Sequence, residues 1–232
     1  MKVFFKILYS KAVVVSTEQF SGPADLEHMH PAVLLYQMGY LTFDKVQESS
    51  EVYKLCFPNK ELLSSIATLC RNMIFCKPYA QELKLIKLDN LQSAEEIINF
   101  FNNLFNALDY ENNPFDYEGQ VTNLLFVFFY ARDNYEPEVS EHSAGGRADL
   151  IIRTPQRAVT VEIKLARDLD PEQGRKVSPL KVNYDKLLNE AKTRLQDRQY
   201  SKTLNSPAQR FFLAAVFSQY ERKFVRFGEC KV

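Results

Sequence analysis

Between positions 158 and 165 apolar and polar residues alternate: Val159, Val161, Ile163 and Leu165 are interleaved with Thr160, Glu162 and Lys164. A period of two is that of a β-strand, whose successive side chains point to opposite faces. The stretch before it behaves alike, with Ala148, Leu150 and Ile152 on one face and Arg147 and Asp149 on the other. Thr154-Pro155-Gln156-Arg157 reads as the turn between them, because it keeps proline out of the ladder. The pattern therefore predicts an antiparallel hairpin with an apolar face and a polar one. On the polar face the pairing can bring Asp149 and Glu162 together, with Lys164 one pleat further on.

Upstream, short β-type runs occupy 3–9 and 12–16, and Ser21-Gly22-Pro23 breaks the chain. His30-Pro31 can open a short helix through Val33, Leu34 and Tyr36 that Gly39 ends. A strand over 52–57, a Pro58-Asn59 turn and a helix over 61–74 follow, the helix placing Leu62, Ile66, Leu69 and Met73 on one side. Residues 1–78 thus form a small N-terminal winged-helix-like α+β domain. Periodicity then fails around Pro78, which marks 79–92 as a linker.

Ser93 with Glu96 three residues on is a capping box ahead of Ile97, Ile98, Phe101, Leu104, Phe105 and Leu108, so the pattern predicts a helix over 94–109. Another runs from about 115 to 132. Its centre, 121–131, is apolar nearly all round, as in a buried helix, though period alone also allows a strand. Glu118 is the charge ahead of that run; it either caps the helix electrostatically or reaches the Asp149 and Glu162 pair. After a strand over 136–142 and the hairpin come a polar loop over 166–180, a helix over 181–200, and strands over 210–217 and 224–227. In the helix, Tyr184, Leu187, Leu188, Ala191 and Leu195 point inward and Lys186, Arg194 and Arg198 outward. The fold class expected for 93–232 is α/β, a mixed central sheet flanked by helices.

Composition is ordinary for a globular protein, with 46% apolar and 25% charged residues among 232. Zero net charge hides an asymmetry: residues 164–232 hold 15 Lys and Arg against 8 Asp and Glu, leaving 14 against 21 in 1–163. A basic segment beside carboxylates suits a polyanionic partner, and it also suits a solvated edge. Cys56, Cys70, Cys76 and Cys230 form no CxxC pair, and His28 and His30 have no acid or Cys partner at ligand spacing, so no zinc set suggests itself. Free thiols and the Lys-interrupted opening segment fit a cytoplasmic protein without a signal peptide or membrane span.

Glu-x-Lys by itself carries little, since it recurs at Glu82, Glu190, Glu221 and Glu229. What distinguishes Glu162 and Lys164 is the β-branched strand around them and an Asp on the strand before. Two carboxylates and an ammonium suit a hard cation and a phosphate; the other reading is a solvated strand face with an ion pair.

Taken together, Glu118 opening an apolar helix, Gly146-Arg147-x-Asp149, Glu162-Ile163-Lys164, the helix ending near Tyr200 and the strand over 211–218 resemble the PD-(D/E)XK nuclease superfamily. The likeness is to the nuclease-like domain at the C-terminus of bacterial AAA-ATPase-like proteins. Leu34 to Thr42 and Phe57 to Glu61 resemble the segment that follows the ATPase core in those proteins. The resemblance implies a restriction-endonuclease-like core and a Mg²⁺-dependent (or Mn²⁺-dependent) nuclease cleaving phosphodiester bonds, with DNA as the partner and a homodimer as one arrangement. By resemblance, Asp149, Glu162 and the Ile163 carbonyl hold the metal, Glu118 adds a ligand, and Lys164 orients water or neutralises charge. Arg147, Lys186, Arg194, Arg198 and Tyr200 are the expected nucleic-acid contacts.

Three departures stand out. No GxxxxGK[ST] occurs, so no ATP is expected; Arg194, six before Tyr200, stands where the family commonly has Gln; and 166–180 looks inserted. The alternative is a catalytically inactive module of the same fold that binds nucleic acid or a protein. A DNA-reading role for 1–78 is disfavoured, because the 61–74 helix region offers only Lys60, Arg71 and Asn72.

Overall fold

A computed structural model describes residues 12–22, 28–44, 51–75, 82–83, 85–108, 115–139, 150–170, 182–197 and 209–230. The chain divides into two compact units, Met1–Ala67 and Thr68–Val232.

In the first unit, β1 (Ala12–Ser16) leads into α1 (Thr17–Ser21), followed by α2 (Pro31–Gln37), β2 (Thr42–Phe43) and β3 (Val52–Cys56). The strands form an antiparallel sheet of order β1-β3-β2. Local signals set the ends: the His30 side chain accepts from the Ala32 N–H, Pro31 is the first helical residue, and Gly39 has φ of 80°, a conformation that a side chain disfavours. Val13, Val15, Val33 and Leu55 make the core, with the rings of Phe20, Tyr36, Phe43 and Tyr53 packed on it.

The division between the units falls within α3 (Lys60–Ile74), ahead of the expected boundary at 78. Its apolar face also differs from expectation. Leu63, Ile66, Ala67 and Ile74 are buried, whereas Leu69 and Met73 are 59% and 71% exposed. Within the segment expected to form a linker, Leu83 and Leu88 are buried. Arg157 explains part of this: its Nη1 donates to the Leu88 carbonyl at 2.9 Å and to that of Leu91, while the Leu88 N–H donates to the Tyr135 hydroxyl at 3.0 Å.

The second unit continues with α4 (Ala94–Asn106), α5 (Glu118–Tyr130), β4 (Glu136–Val139), β5 (Leu150–Arg153), β6 (Arg157–Ala166), α6 (Tyr184–Asp197), β7 (Gln209–Ser218) and β8 (Lys223–Glu229). Ser93 caps α4 by accepting from the Glu96 N–H, and the Glu96 carboxylate reaches back to the Gln92 N–H. The apolar stretch after Glu118 is a helix, begun where the Gln120 side chain accepts from the Tyr117 N–H.

The sheet has the order β4-β5-β6-β7-β8, with β6 and β7 parallel and the other neighbours antiparallel. Parallel neighbours need a crossover, and α6 lies in the connection. This is an α/β unit with a mixed sheet. Phe105, Phe115, Phe217 and Phe224 pack edge-on or tilted, and Phe100, Phe101, Phe128 and Phe129 extend that aromatic core between α4 and α5. No helix among the described residues is long and apolar enough to cross a membrane.

Candidate functional site

Strand β6 lies between β5 and β7, and every residue from Arg157 to Ala166 is buried, so both its faces are inside the protein. Residues level across a parallel pair share a face, and Thr160, Glu162 and Lys164 stand level with Phe212, Ala214 and Val216 of β7. Phe212 and Ala214 pack against Ala191 and Leu195 of α6, which therefore covers this face. The small Ala214 beside Glu162 leaves room for charged side chains. Thr160, Glu162 and Lys164 are only 1%, 2% and 4% exposed, which overturns the solvated-face reading.

A charge that is buried needs a partner. Lys164 Nζ lies 3.5 Å from Glu118 Oε1 and 3.7 Å from Glu162 Oε1. Glu118 is the first residue of α5, where the helix dipole favours a carboxylate, and its Oε1 is also 3.5 Å from the Leu165 N–H. Glu118 thus opens the helix and reaches Lys164, which in turn meets Glu162.

Arg194 departs from the expected outward position. Its Nη1 is 3.5 Å from Glu162 Oε1. The reason is helical spacing, since Arg194 is three residues on from the buried Ala191 and so neighbours it on one side of α6. Lys186, by contrast, is exposed as expected. Two carboxylates and two cations therefore meet at one end of β6. Glu162 Oε2 is buried with no hydrogen-bond partner, although Oε1 faces both cations.

Asp149, Arg147, Arg198 and Tyr200 lie outside the described residues. Asp149 immediately precedes Leu150, which pairs with Val161. Among the described residues no group of three or more His, Cys, Asp or Glu side chains could hold a metal ion.

Sequence reasoning passed over Asp168, assigned to a polar loop. It is buried, and its carboxylate accepts from the Tyr184 hydroxyl at 2.6 Å, the Ser218 hydroxyl and the Tyr220 N–H at 2.9 Å. These bonds tie the chain beyond β6 to the start of α6 and to the β7–β8 turn, holding in place the elements that supply Glu162, Lys164 and Arg194. Only its place four residues past Lys164 could have drawn attention to it. No protein-family model matches the chain, and no curated protein gives a significant match.

Proposed function

We propose that the second unit is a nuclease of the PD-(D/E)XK type, with a restriction-endonuclease-like core, which hydrolyses phosphodiester bonds in DNA with Mg²⁺ or Mn²⁺. The observation that carries this reading is the buried Glu162 Oε2, which lacks a hydrogen-bond donor beside a lysine that joins two carboxylates. A cation fits such an oxygen, because a buried carboxylate oxygen left without a donor is destabilised. The residues that would hold it are Glu162, the Ile163 carbonyl, Glu118 and Asp149. Asp149 enters because the ladder that pairs Leu150 with Val161 would next pair Asp149 with Glu162.

The bound metal would polarise a phosphoryl oxygen and acidify a water. The chain's own groups do the rest. Lys164 keeps a fixed positive charge between Glu118 and Glu162, available to a water or a phosphoryl oxygen drawn to the same place. Glu118 holds the Lys164 ammonium from the other side. The exposed Lys186 and the basic segment after Lys164 are the proposed phosphate contacts, with Arg147, Arg198 and Tyr200. The first unit, a helix-bearing three-stranded sheet, is read as winged-helix-like. Free thiols at Cys56, Cys70 and Cys230 agree with a cytoplasmic setting.

A second reading, a non-catalytic module of the same fold, is favoured by Arg194, which together with Lys164 balances the charge of Glu118 and Glu162 without a metal. Cleavage of plasmid and single-stranded DNA with Mg²⁺ or Mn²⁺ by wild type, Asp149→Asn and Lys164→Met separates the two. The enzyme reading expects cleavage by wild type and a loss of about 100- to 1,000-fold in either variant, the scale of a deleted transition-state donor. Absence of wild-type cleavage with either ion would leave the module reading; equal cleavage by all three proteins would assign the activity elsewhere.

A further inference from the structure

At the far end of α5 from Glu118, about 20 Å along a helix of this length, lies a second group of charges. Arg71, Lys87, Asp89, Arg132, Tyr135 and Gln156 contribute to the walls of a cavity of about 520 Å³. Its floor brings two guanidinium groups together. Arg71 Nη1 donates to the Ala131 carbonyl at 2.6 Å, and Arg132 Nη2 donates to the Ile86 carbonyl at 2.7 Å. The guanidinium carbon of Arg132 lies 4.7 Å from the centre of the Tyr135 ring and 5.4 Å from that of Phe128.

The Ala131 carbonyl, at the C-terminal end of α5, takes one N–H of Arg71. Two like charges thus line one half-buried cavity. Arg71 Nε–H is buried and has no acceptor. Burial lowers the pKa of Arg71, and the Arg132 charge lowers it further; burial lowers that of Arg132 too. Of the carboxylates at the cavity, Asp89 Oδ1 accepts from the Thr154 hydroxyl, and Asp133 is exposed, as is Lys87.

We propose that this cavity binds a phosphate monoester, with Arg71 and Arg132 on the phosphate and Lys87 at the rim. A guanidinium edge presents parallel N–H donors that match a phosphate or carboxylate, and two arginines with a lysine suit a dianion better than a single carboxylate. The volume exceeds what phosphate fills and falls within the range of small-molecule pockets. Tyr135 and Pro155 supply apolar wall for the rest of the ligand. A free small monoester and the 5′-phosphate end of a nucleic-acid strand share this chemistry.

The test is calorimetric titration of the full chain in EDTA, which keeps it independent of any divalent-metal site. The probes are inorganic phosphate, adenosine 5′-monophosphate, and one oligonucleotide with and without a 5′-phosphate. Saturable binding is expected for the monophosphate, tighter than for inorganic phosphate. Arg71→Gln should weaken it at least about tenfold, the scale of one lost charged hydrogen bond. Lys87→Gln, at an exposed side chain whose loss cannot empty the core, should weaken it a few-fold; circular dichroism checks both folds. A gain from the 5′-phosphate on the oligonucleotide that Arg71→Gln abolishes would identify a strand end as the source, and its absence a free monoester. No saturable binding of phosphate or monophosphate by wild type, or equal affinity in wild type and both variants, overturns the proposal.

Discussion

Arg194 Nη1 stands 3.5 Å from Glu162 Oε1, so a guanidinium from α6 meets a carboxylate on the strand that α6 covers. If that carboxylate binds a divalent ion, Arg194 competes for it. Arg194→Gln keeps an amide at the site and removes the charge. The expected outcome is Mn²⁺ binding about tenfold tighter than in wild type, read by calorimetry. Equal affinity would show that Arg194 does not hold Glu162 against the metal, and no binding in either protein would remove the metal reading.

Strand alternation alone suggests that Lys164→Ala leaves the fold untouched, because Lys164 points away from Val161, Ile163 and Leu165. Burial reverses that expectation. Lys164 is 4% exposed and is the cation between Glu118 and Glu162. Removing one partner of a buried pair typically costs about 3–5 kcal/mol, so Lys164→Ala should shift the urea unfolding midpoint well down. Lys164→Met fills the space and should lose less. An unchanged midpoint in Lys164→Ala would mean that the ion pairs contribute nothing to folding.

Asp168 accepts three hydrogen bonds, from Tyr184, Ser218 and Tyr220, in a buried place. Asp168→Ala strands all three donors and should cost about 3–5 kcal/mol, given about 1–3 kcal/mol for each buried group left unsatisfied. Asp168→Asn keeps one acceptor oxygen and should cost less. Chemical denaturation of both variants checks the order; a neutral Asp168→Ala would show that water replaces the carboxylate without loss.

Burial raises the pKa of the Cys230 thiol, and Glu229 adds to the rise while Lys192 opposes it. Burial also raises that of Cys70. Above the ordinary thiol range, about 8.5, the unfolded chain then releases protons that the folded chain keeps. Stability should therefore fall as pH rises through that range towards the folded pKa. Unfolding midpoints of wild type and Cys230→Ala at neutral and alkaline pH test this. The wild type should lose more than the variant on going alkaline, and equal losses would clear Cys230 of any part.

Local chemistry determined much of this protein without reference to the rest of the chain. The Ser93 cap, the His30-Pro31 start, Gly39 and the alternation through Glu162 and Lys164 each depend on neighbours a few residues away, and each element stands where those signals placed it. Period two established that Glu162 and Lys164 share a face; it could not say what lies on that face. That depended on the parallel pairing of β6 with β7, which brings α6 over the polar side.

The same reason explains the differences. An amphipathic helix shows where its apolar residues are, yet α3 buries Leu63 and Ile74 and leaves Leu69 and Met73 out, because its surroundings and not its period choose the face. Residues 85–91 have no period to read and are held by Arg157 and Tyr135 from far along the chain. Arg194 reads as a surface charge until a carboxylate from another element comes within 3.5 Å of it. Sequence thus determined the elements and which residues share a face. Tertiary structure alone decided which of those faces are buried and which charges meet, since both follow from contacts between segments far apart in the chain.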